Sequence, residues 1–212
     1  MINTLLVEDD LYIQRHFVER FSEEEDIRIV AAVRDAFEAE GLCGQGGIDL
    51  VLMDVLTLHK HSGLAAGKRI REAYPNIKVL IVTSLVDPEV LQQARRCADS
   101  LWYKDHGTDA IMDVIRRTMA GERVIPSFSP SVEMKRCMSE DFTPAQIEIL
   151  RDFIKGYTYR EIAEKFNLSV SGVRYNIAEM VRIGGFKNKE ELTTVAIENK
   201  LVVTTLDDGE TE

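Results

Sequence analysis

Five polar residues follow short apolar runs in the first half of the sequence. Glu8 and Asp9 follow the first run, Asp54 ends the run at 48–53, and Thr83 and Lys104 each follow a later run. Runs this short and apolar predict strands that are buried on both faces of a parallel sheet. Because parallel strands end at one edge, where open α/β sheets bind ligands, we expect the other four side chains to surround Asp54.

The composition is ordinary for a globular protein, and its charge is uneven. The 212 residues are 45% hydrophobic, with a net charge of -10. Residues 1–120 hold 14 Lys and Arg against 20 Asp and Glu, a net -6, whereas residues 142–206 hold 9 against 8, a net +1. This balance argues against non-specific nucleic-acid binding by the whole chain, so any such contact must be local.

The cysteines and the apolar runs bear on the compartment. The three cysteines are odd in number and lack CxxC spacing, so the sequence indicates neither a disulfide framework nor a zinc site. The sequence opens on a strand-like run without a basic and then apolar segment, so we expect no secretory signal, and no apolar run reaches the roughly 18 residues of a membrane span. We therefore expect a reduced, cytoplasmic protein without membrane contact.

The periodicity divides the chain into two folded parts. Residues 1–120 alternate strand-like and helical patterns, which is typical of an α/β domain with crossover helices. Proline and serine interrupt residues 121–141, which we interpret as a linker, with a short helix near 134–136. Residues 142–206 read as helices joined by short turns, and 207–212 as an acidic tail.

Within the second part, helix, short turn and helix follow one another in the helix-turn-helix pattern. The helix that begins at Val170 places apolar residues on one side at 100° per residue. The opposite face, which could enter a groove or simply be solvated, carries Ser171, Arg174, Tyr175, Ala178 and Arg182.

Over nearly its whole length the sequence resembles bacterial two-component response regulators of the NarL/FixJ type. These have a flavodoxin-like, doubly wound, five-stranded parallel receiver domain followed by an all-α LuxR-type helix-turn-helix domain. The matching residues are Glu8 and Asp9 as the acidic pair, Asp54 as phosphoacceptor, Thr83 as switch hydroxyl and Lys104 as phosphoryl-pairing lysine. Glu161-Ile162-Ala163 and Val173-Arg174 match the second domain, whose DNA contacts would fall at Arg174, Tyr175 and Ala178.

The resemblance implies a phosphorylation chemistry that these side chains can perform. Glu8, Asp9 and Asp54 would repel one another unless a cation intervened, and their oxygens suit Mg²⁺. Asp54 would then be the nucleophile that takes a phosphoryl group from a sensor histidine kinase. A single aspartate after a strand is usually a turn or cap residue, but four strand ends with complementary groups favour the phosphoacceptor.

Other functions remain open on the sequence. The Asp54 site could belong to a Mg²⁺-dependent phosphohydrolase, although residues 1–120 offer no obvious substrate-covering cap. The second domain could bind a protein instead of double-stranded DNA. We expect a transcription regulator, not a turnover enzyme, and we expect it to be a homodimer when active. We also expect the receiver to occlude the DNA-binding domain until phosphorylation. The competing mechanism is dimerisation driven by the receiver.

Several residues depart from the family pattern. The loop after Asp54 is one residue longer than usual, and Leu101 replaces the usual aromatic switch residue. His59 and His61 lie in that loop, but the sequence fixes no third ligand near them, so we interpret them as solvated loop residues. These departures bear on how the two domains are coupled more than on the chemistry of Asp54.

Overall fold

The computed structural model describes residues 1–204, apart from the side chains of Thr108 and Asp109. The predicted acidic tail at 207–212 therefore lies outside the described residues, as do the last two residues of the predicted domain 142–206. Among the described residues, the chain forms two compact units. The first unit holds residues 1–84 and 89–128, and the second holds residues 85–88 and 129–204.

The first unit is a parallel sheet of five strands in the order β2-β1-β3-β4-β5, which confirms the predicted α/β class. Strands and helices alternate along the chain, since each parallel strand needs a crossover to reach the next. The elements are β1 Ile2–Val7, α1 Leu11–Phe21, β2 Ile27–Val33, α2 Ala36–Cys43, β3 Leu50–Met53, α3 Gly63–Ala73, β4 Lys78–Thr83, α4 Pro88–Cys97, β5 Ser100–Tyr103 and α5 Thr108–Met119.

The core of the first unit explains why its inner strands are continuous apolar runs. All four residues of β3 are buried, as are all four of β5, because helices cover both faces of the sheet. On one face Trp102 packs edge-to-face against Phe17, with ring centroids 6.4 Å apart. The predicted sheet is therefore held chiefly by burial of apolar surface.

One glycine sets how closely helix α3 approaches the end of β3. A Cβ atom on Gly63 would overlap the carbonyl oxygen of Asp54, and the Gly63 amide donates to the Val55 carbonyl at 2.9 Å. The start of α3 can lie this close to Asp54 only because residue 63 has no side chain.

The second unit contains four helices, α6 Pro144–Ile154, α7 Tyr159–Phe166, α8 Val170–Gly184 and α9 Lys189–Glu198. Capping boxes begin two of them: Thr143 with Gln146 before α6, and Thr158 with Glu161 before α7. Asn167 ends α7 in the left-handed conformation, with φ 53°, and Ser169 caps α8. This tight turn is the predicted one.

Among the helices of residues 1–204, none combines the length and the apolar character that a membrane span requires.

The connection before α6 lacks the predicted short helix. Residues 134–136 do not form a helix, because Lys135 has φ 72°, which no right-handed helix allows. The segment is instead a turn closed by the Met134 amide on the Cys137 carbonyl at 2.7 Å. Met134 is fully buried in the core of the second unit, so this part of the connection is packed.

Gly63→Ala should lower the free energy of unfolding of the first unit by about 1–3 kcal/mol, because the added methyl group overpacks the start of α3. Gly41→Ala in α2 is the matched control: its Cβ meets nothing within 4 Å, and alanine is the better helix former. Urea unfolding followed by Trp102, the sole tryptophan, measures this unit. Equal stabilities of the two variants would contradict the close packing.

Candidate functional site

The carboxyl edge of the sheet brings three of the five predicted side chains into direct contact. Glu8 follows β1, Asp54 follows β3 and Lys104 follows β5. The Lys104 ammonium donates to Glu8 Oε2 at 2.6 Å and to Asp54 Oδ2 at 2.7 Å. The Val55 amide donates to the other carboxylate oxygen of Asp54, Oδ1, at 2.6 Å. The predicted convergence at this edge is therefore present for these groups.

Burial makes these charges depend on one another. Glu8 is 2% exposed and Asp54 8%. Burial, followed by the negative charge of Asp54, raises the pKa of Glu8 to about 7, and burial also raises the pKa of Asp54. Although burial favours the neutral amine, the two carboxylates raise the pKa of Lys104. The Lys104 ammonium therefore stays protonated and offsets the negative charges of the two carboxylates, which are buried away from water.

Thr83 and Asp9 complete the edge. Thr83 is the last residue of β4, the strand beside β3, and it is completely buried. Asp9 is partly buried, and a carboxylate oxygen of each of Glu8, Asp9 and Asp54 lies within 4.8 Å of the others. A set of ligands made only of carboxylate oxygens matches a hard divalent cation, so these three residues could hold one.

The predicted outer face of α8 is exposed in the structure. Val173, Ile177 and Met180 are buried on the inner side of the helix. The five residues predicted for the outer side are all exposed: Ser171, Arg174, Tyr175, Ala178 and Arg182. The helix thus faces as its periodicity predicted.

The two arginines of that face differ in their partners. Arg182 Nε donates to Glu179 at 2.8 Å, which offsets its charge. The Arg174 guanidinium instead lies over the ring of Tyr159, 5.6 Å from its centroid. Tyr159 was not among the predicted site residues. Tyr159 meets Arg174 only through the packing of α7 against α8. The sequence offers a single sign of this contact, the aromatic residue at the first position of α7.

The histidines of the loop after Asp54 have a partner that the sequence did not reveal. His59 Nδ1 lies 2.8 Å from Asp35 Oδ2, and His61 Nδ1 lies 2.7 Å from Asp35 Oδ1. Both rings are exposed, as expected for loop residues, but both are bound to one carboxylate. Asp35 is far away in sequence, and no local pattern points to it.

Comparisons with known proteins agree with this architecture. A model of the response regulator receiver domain family matches residues 4–116. The response regulator protein VraR of Staphylococcus aureus (strain Mu3 / ATCC 700698) is 28% identical over 210 residues, 95% of this chain and 99% of that protein. A structure of two RcsB dimers bound to two parallel DNAs has a TM-score of 0.63 at 16% identity, covering 92% of this chain and 98% of that one.

A second solved structure gives the same fold. RcsB from Salmonella enterica serovar Typhimurium, bound to promoter rprA in the presence of the phosphomimetic BeF3-, has a TM-score of 0.61 at 15% identity and covers 92% of this chain and 98% of that chain. The similarity extends over nearly the whole chain, so the predicted fold of a receiver-like unit followed by a helix-turn-helix unit is confirmed.

Lys104→Met should lower the stability of the first unit by about 3 kcal/mol at neutral pH, because it leaves two buried carboxylates without their cation. Lys78→Met is the control. Lys78 pairs with Asp99 at the looser distance of 3.5 Å, and Arg71 also reaches Asp99, so its loss should cost less than about 1 kcal/mol. Urea unfolding followed by Trp102 compares them, and a cost for Lys104→Met no larger than that for Lys78→Met would refute the role of Lys104.

Proposed function

We propose, given that this chain belongs to the response regulator receiver family, that it is a transcription regulator in which a phosphoryl group on Asp54 controls DNA binding by the second unit. The observation that carries this proposal is the bridge from Lys104 to Glu8 and Asp54 at the carboxyl edge of the sheet. A buried carboxylate beside a fixed ammonium is placed to act as a nucleophile, because the ammonium offsets the negative charge of the phosphoryl group that the carboxylate receives.

The donor that fits this site is a phosphohistidine on a sensor histidine kinase. A carboxylate oxygen of Asp54 attacks phosphorus, the new O–P bond forms, and the P–N bond breaks with its electron pair passing to the imidazole nitrogen. The Lys104 ammonium moves from the carboxylate of Asp54 to an oxygen of the phosphoryl group. The Thr83 hydroxyl donates a hydrogen bond to a second phosphoryl oxygen. The phosphoryl group on Asp54 carries about -1.5 to -2 charges, which attract the Lys104 ammonium and the Thr83 hydroxyl.

Mg²⁺ is the cation we propose for the acidic cluster. Glu8, Asp9 and Asp54 would hold it, since their oxygens converge and offer no nitrogen or sulfur ligand. When bound, it supplies positive charge that stabilises the transferred phosphoryl group. The protein's own contribution is to hold the three carboxylates together and to keep Lys104 beside Asp54.

Asp54 should be the phosphorylated residue. Incubation with Mg²⁺ and acetyl phosphate should add one phosphoryl mass to the parent and none to Asp54→Asn, as measured by intact-mass spectrometry. Asp49→Asn is the matched control at the opposite end of the same strand, where Asp49 accepts the Asn3 amide at 2.8 Å. An adduct of unchanged yield on Asp54→Asn would show that another residue is the acceptor.

The exposed face of α8 is the surface we propose for double-stranded DNA. Helices of this kind enter the major groove with their outer side chains against base edges and phosphates. Here those side chains are Ser171, Arg174, Tyr175, Ala178 and Arg182, of which only the two arginines carry charge. The RcsB structures with DNA support the proposal through their shared fold.

Arg174 should be the strongest single DNA contact, so Arg174→Ala should weaken DNA binding more than alanine at Ser171, Tyr175 or Arg182. A lost phosphate contact lowers the salt slope by about one for every sequence, whereas a lost base contact costs roughly 1–3 kcal/mol and relaxes one position. Fluorescence anisotropy on an operator and on an unrelated duplex, over a salt series, separates these outcomes. Arg28→Ala, an exposed arginine of β2, controls for lost charge, and equal binding by both variants would mean that α8 does not face DNA.

The active form we propose is a homodimer in the cytoplasm. One copy offers a short recognition face, and two copies on one duplex would combine their contacts. The alternatives, a Mg²⁺-dependent phosphohydrolase and a protein-binding second unit, lack a supporting observation of this kind. A phosphohydrolase would turn over a small phosphate ester with Mg²⁺, and a protein-binding unit would lack salt-dependent binding to DNA.

A further inference from the structure

A cluster of two histidines and one aspartate lies outside the Asp54 site. Asp35 caps helix α2, and His59 and His61 come from the loop between β3 and α3. One ligand atom from each of the three residues lies within 4.8 Å of the others. We infer that Asp35, His59 and His61 form a binding site for a divalent transition-metal ion of the Zn²⁺ class.

The donor set distinguishes this site from the one around Asp54. Two imidazole nitrogens and one carboxylate oxygen suit Zn²⁺, Co²⁺, Ni²⁺ or Cu²⁺, whereas Mg²⁺ prefers oxygen alone. The set supplies three protein ligands, and water would take the fourth position of a tetrahedral ion. The two sites should therefore select different ions from the same solution.

The distances allow an ion to enter with small movements. Each histidine Nδ1 now lies 2.7 or 2.8 Å from an oxygen of Asp35. Around Zn²⁺, ligand atoms at about 2.0–2.1 Å from the metal are separated by roughly 3.3 Å in a tetrahedron. The groups must separate by about half an ångström, which exposed imidazole rings can do by rotation. To bind the ion, each ring must present Nδ1 without its proton, which moves to Nε2 or is released to solvent.

Hydrogen bonds outside the imidazole rings hold the three ligand residues in place. The Phe37 amide donates to Asp35 Oδ1 at 2.9 Å, which fixes the carboxylate at the start of α2. The Thr57 hydroxyl accepts from the Ala36 amide at 3.1 Å and donates to the His61 carbonyl at 2.8 Å. Thr57 is buried, so the loop with the histidines is tied to the start of α2 by contacts that do not involve the imidazole rings.

The loop conformation is unusual in a way that serves the cluster. His59 and Lys60 have φ 60° and 63°, the left-handed region that side chains other than glycine rarely adopt. These two residues turn the chain so that the imidazoles of residues 59 and 61 reach the same carboxylate. Both rings remain exposed, at 68% and 50% of the side chain, so an ion can reach them from solvent.

The test measures Zn²⁺ binding to the full chain. Chelator-treated protein in millimolar Mg²⁺, which occupies the acidic cluster, is titrated with Zn²⁺ by calorimetry, and Co²⁺ absorption reports the coordination. We expect one ion per chain with a spectrum of nitrogen and oxygen ligands. His59→Ala and His61→Ala should each weaken binding at least tenfold. Asp35→Asn should also weaken it while keeping the helix cap, since asparagine caps as well as aspartate.

The controls use the remaining histidines and the partly buried cysteine. His16→Ala and His106→Ala should bind as the parent does, and so should Cys137→Ser. Nitrogen NMR of the rings should show that Zn²⁺ leaves Nδ1 without a proton in His59 and His61 alone. Zn²⁺ binding that survives in the His59→Ala, His61→Ala double variant, or that is lost in Cys137→Ser, would overturn the proposal. Absence of Zn²⁺ binding by the parent would also overturn it, while phosphorylation of Asp54 stands or falls separately.

Discussion

The burial of two carboxylates against one ammonium is the constraint on which the carboxyl edge of the sheet depends. Glu8 and Asp54 come from neighbouring strands, and Lys104 comes from the far strand β5, so its side chain must reach past β4 to meet them. Removing charge from water is costly unless the partners are close and hydrogen-bonded. The ends of β1, β3 and β5 must therefore hold a fixed relation, which burial of apolar side chains between them provides.

That constraint also explains the chain around Asp54. The Val55 amide binds one oxygen of the carboxylate and Lys104 the other, so the side chain has a defined direction. Gly63 lets helix α3 begin against the backbone of Asp54, which limits how far the intervening loop can move. The loop is consequently anchored at both ends, and between them it passes through the left-handed conformation at His59 and Lys60.

Most features predicted from sequence have a local physical cause, and the meeting of Glu8, Asp54 and Lys104 was predictable because each follows a strand of one parallel sheet. The ends of the strands follow from short apolar runs. Strand β3 is shorter than its run, because it begins at Leu50 and the apolar run begins two residues earlier. Helix α8 begins at its predicted residue, Val170, because Ser169 supplies a cap hydroxyl, and Thr143 and Thr158 do the same for α6 and α7. Capping and periodicity act within one turn of helix, so the sequence alone reveals them.

What the sequence could not predict depends on groups that are distant in the chain. Asp35 and its two histidines meet only because α2 and the loop after β3 lie side by side, and nothing in either segment marks the other. Arg174 lies over Tyr159 through the packing of two helices. The short helix predicted at residues 134–136 is absent, since Lys135 has a left-handed φ and the neighbouring Met134 side chain is buried in the core of the second unit.

The charges on α8 connect its chemistry to the proposed assembly. Glu179 offsets Arg182, Ala178 is uncharged, and the Asn176 amide donates to the Gly172 carbonyl, which leaves Arg174 as the principal cation of the face. Affinity for duplex DNA rises with the number of phosphates that are neutralised, so one α8 face with so few cations would bind weakly. Two copies joined on one operator convert the second contact into an intramolecular step. A weak face is therefore well suited to control, because the state of Asp54 would decide whether DNA is bound at all, either by releasing the domain from the expected occlusion or, in the competing mechanism, by pairing the protomers.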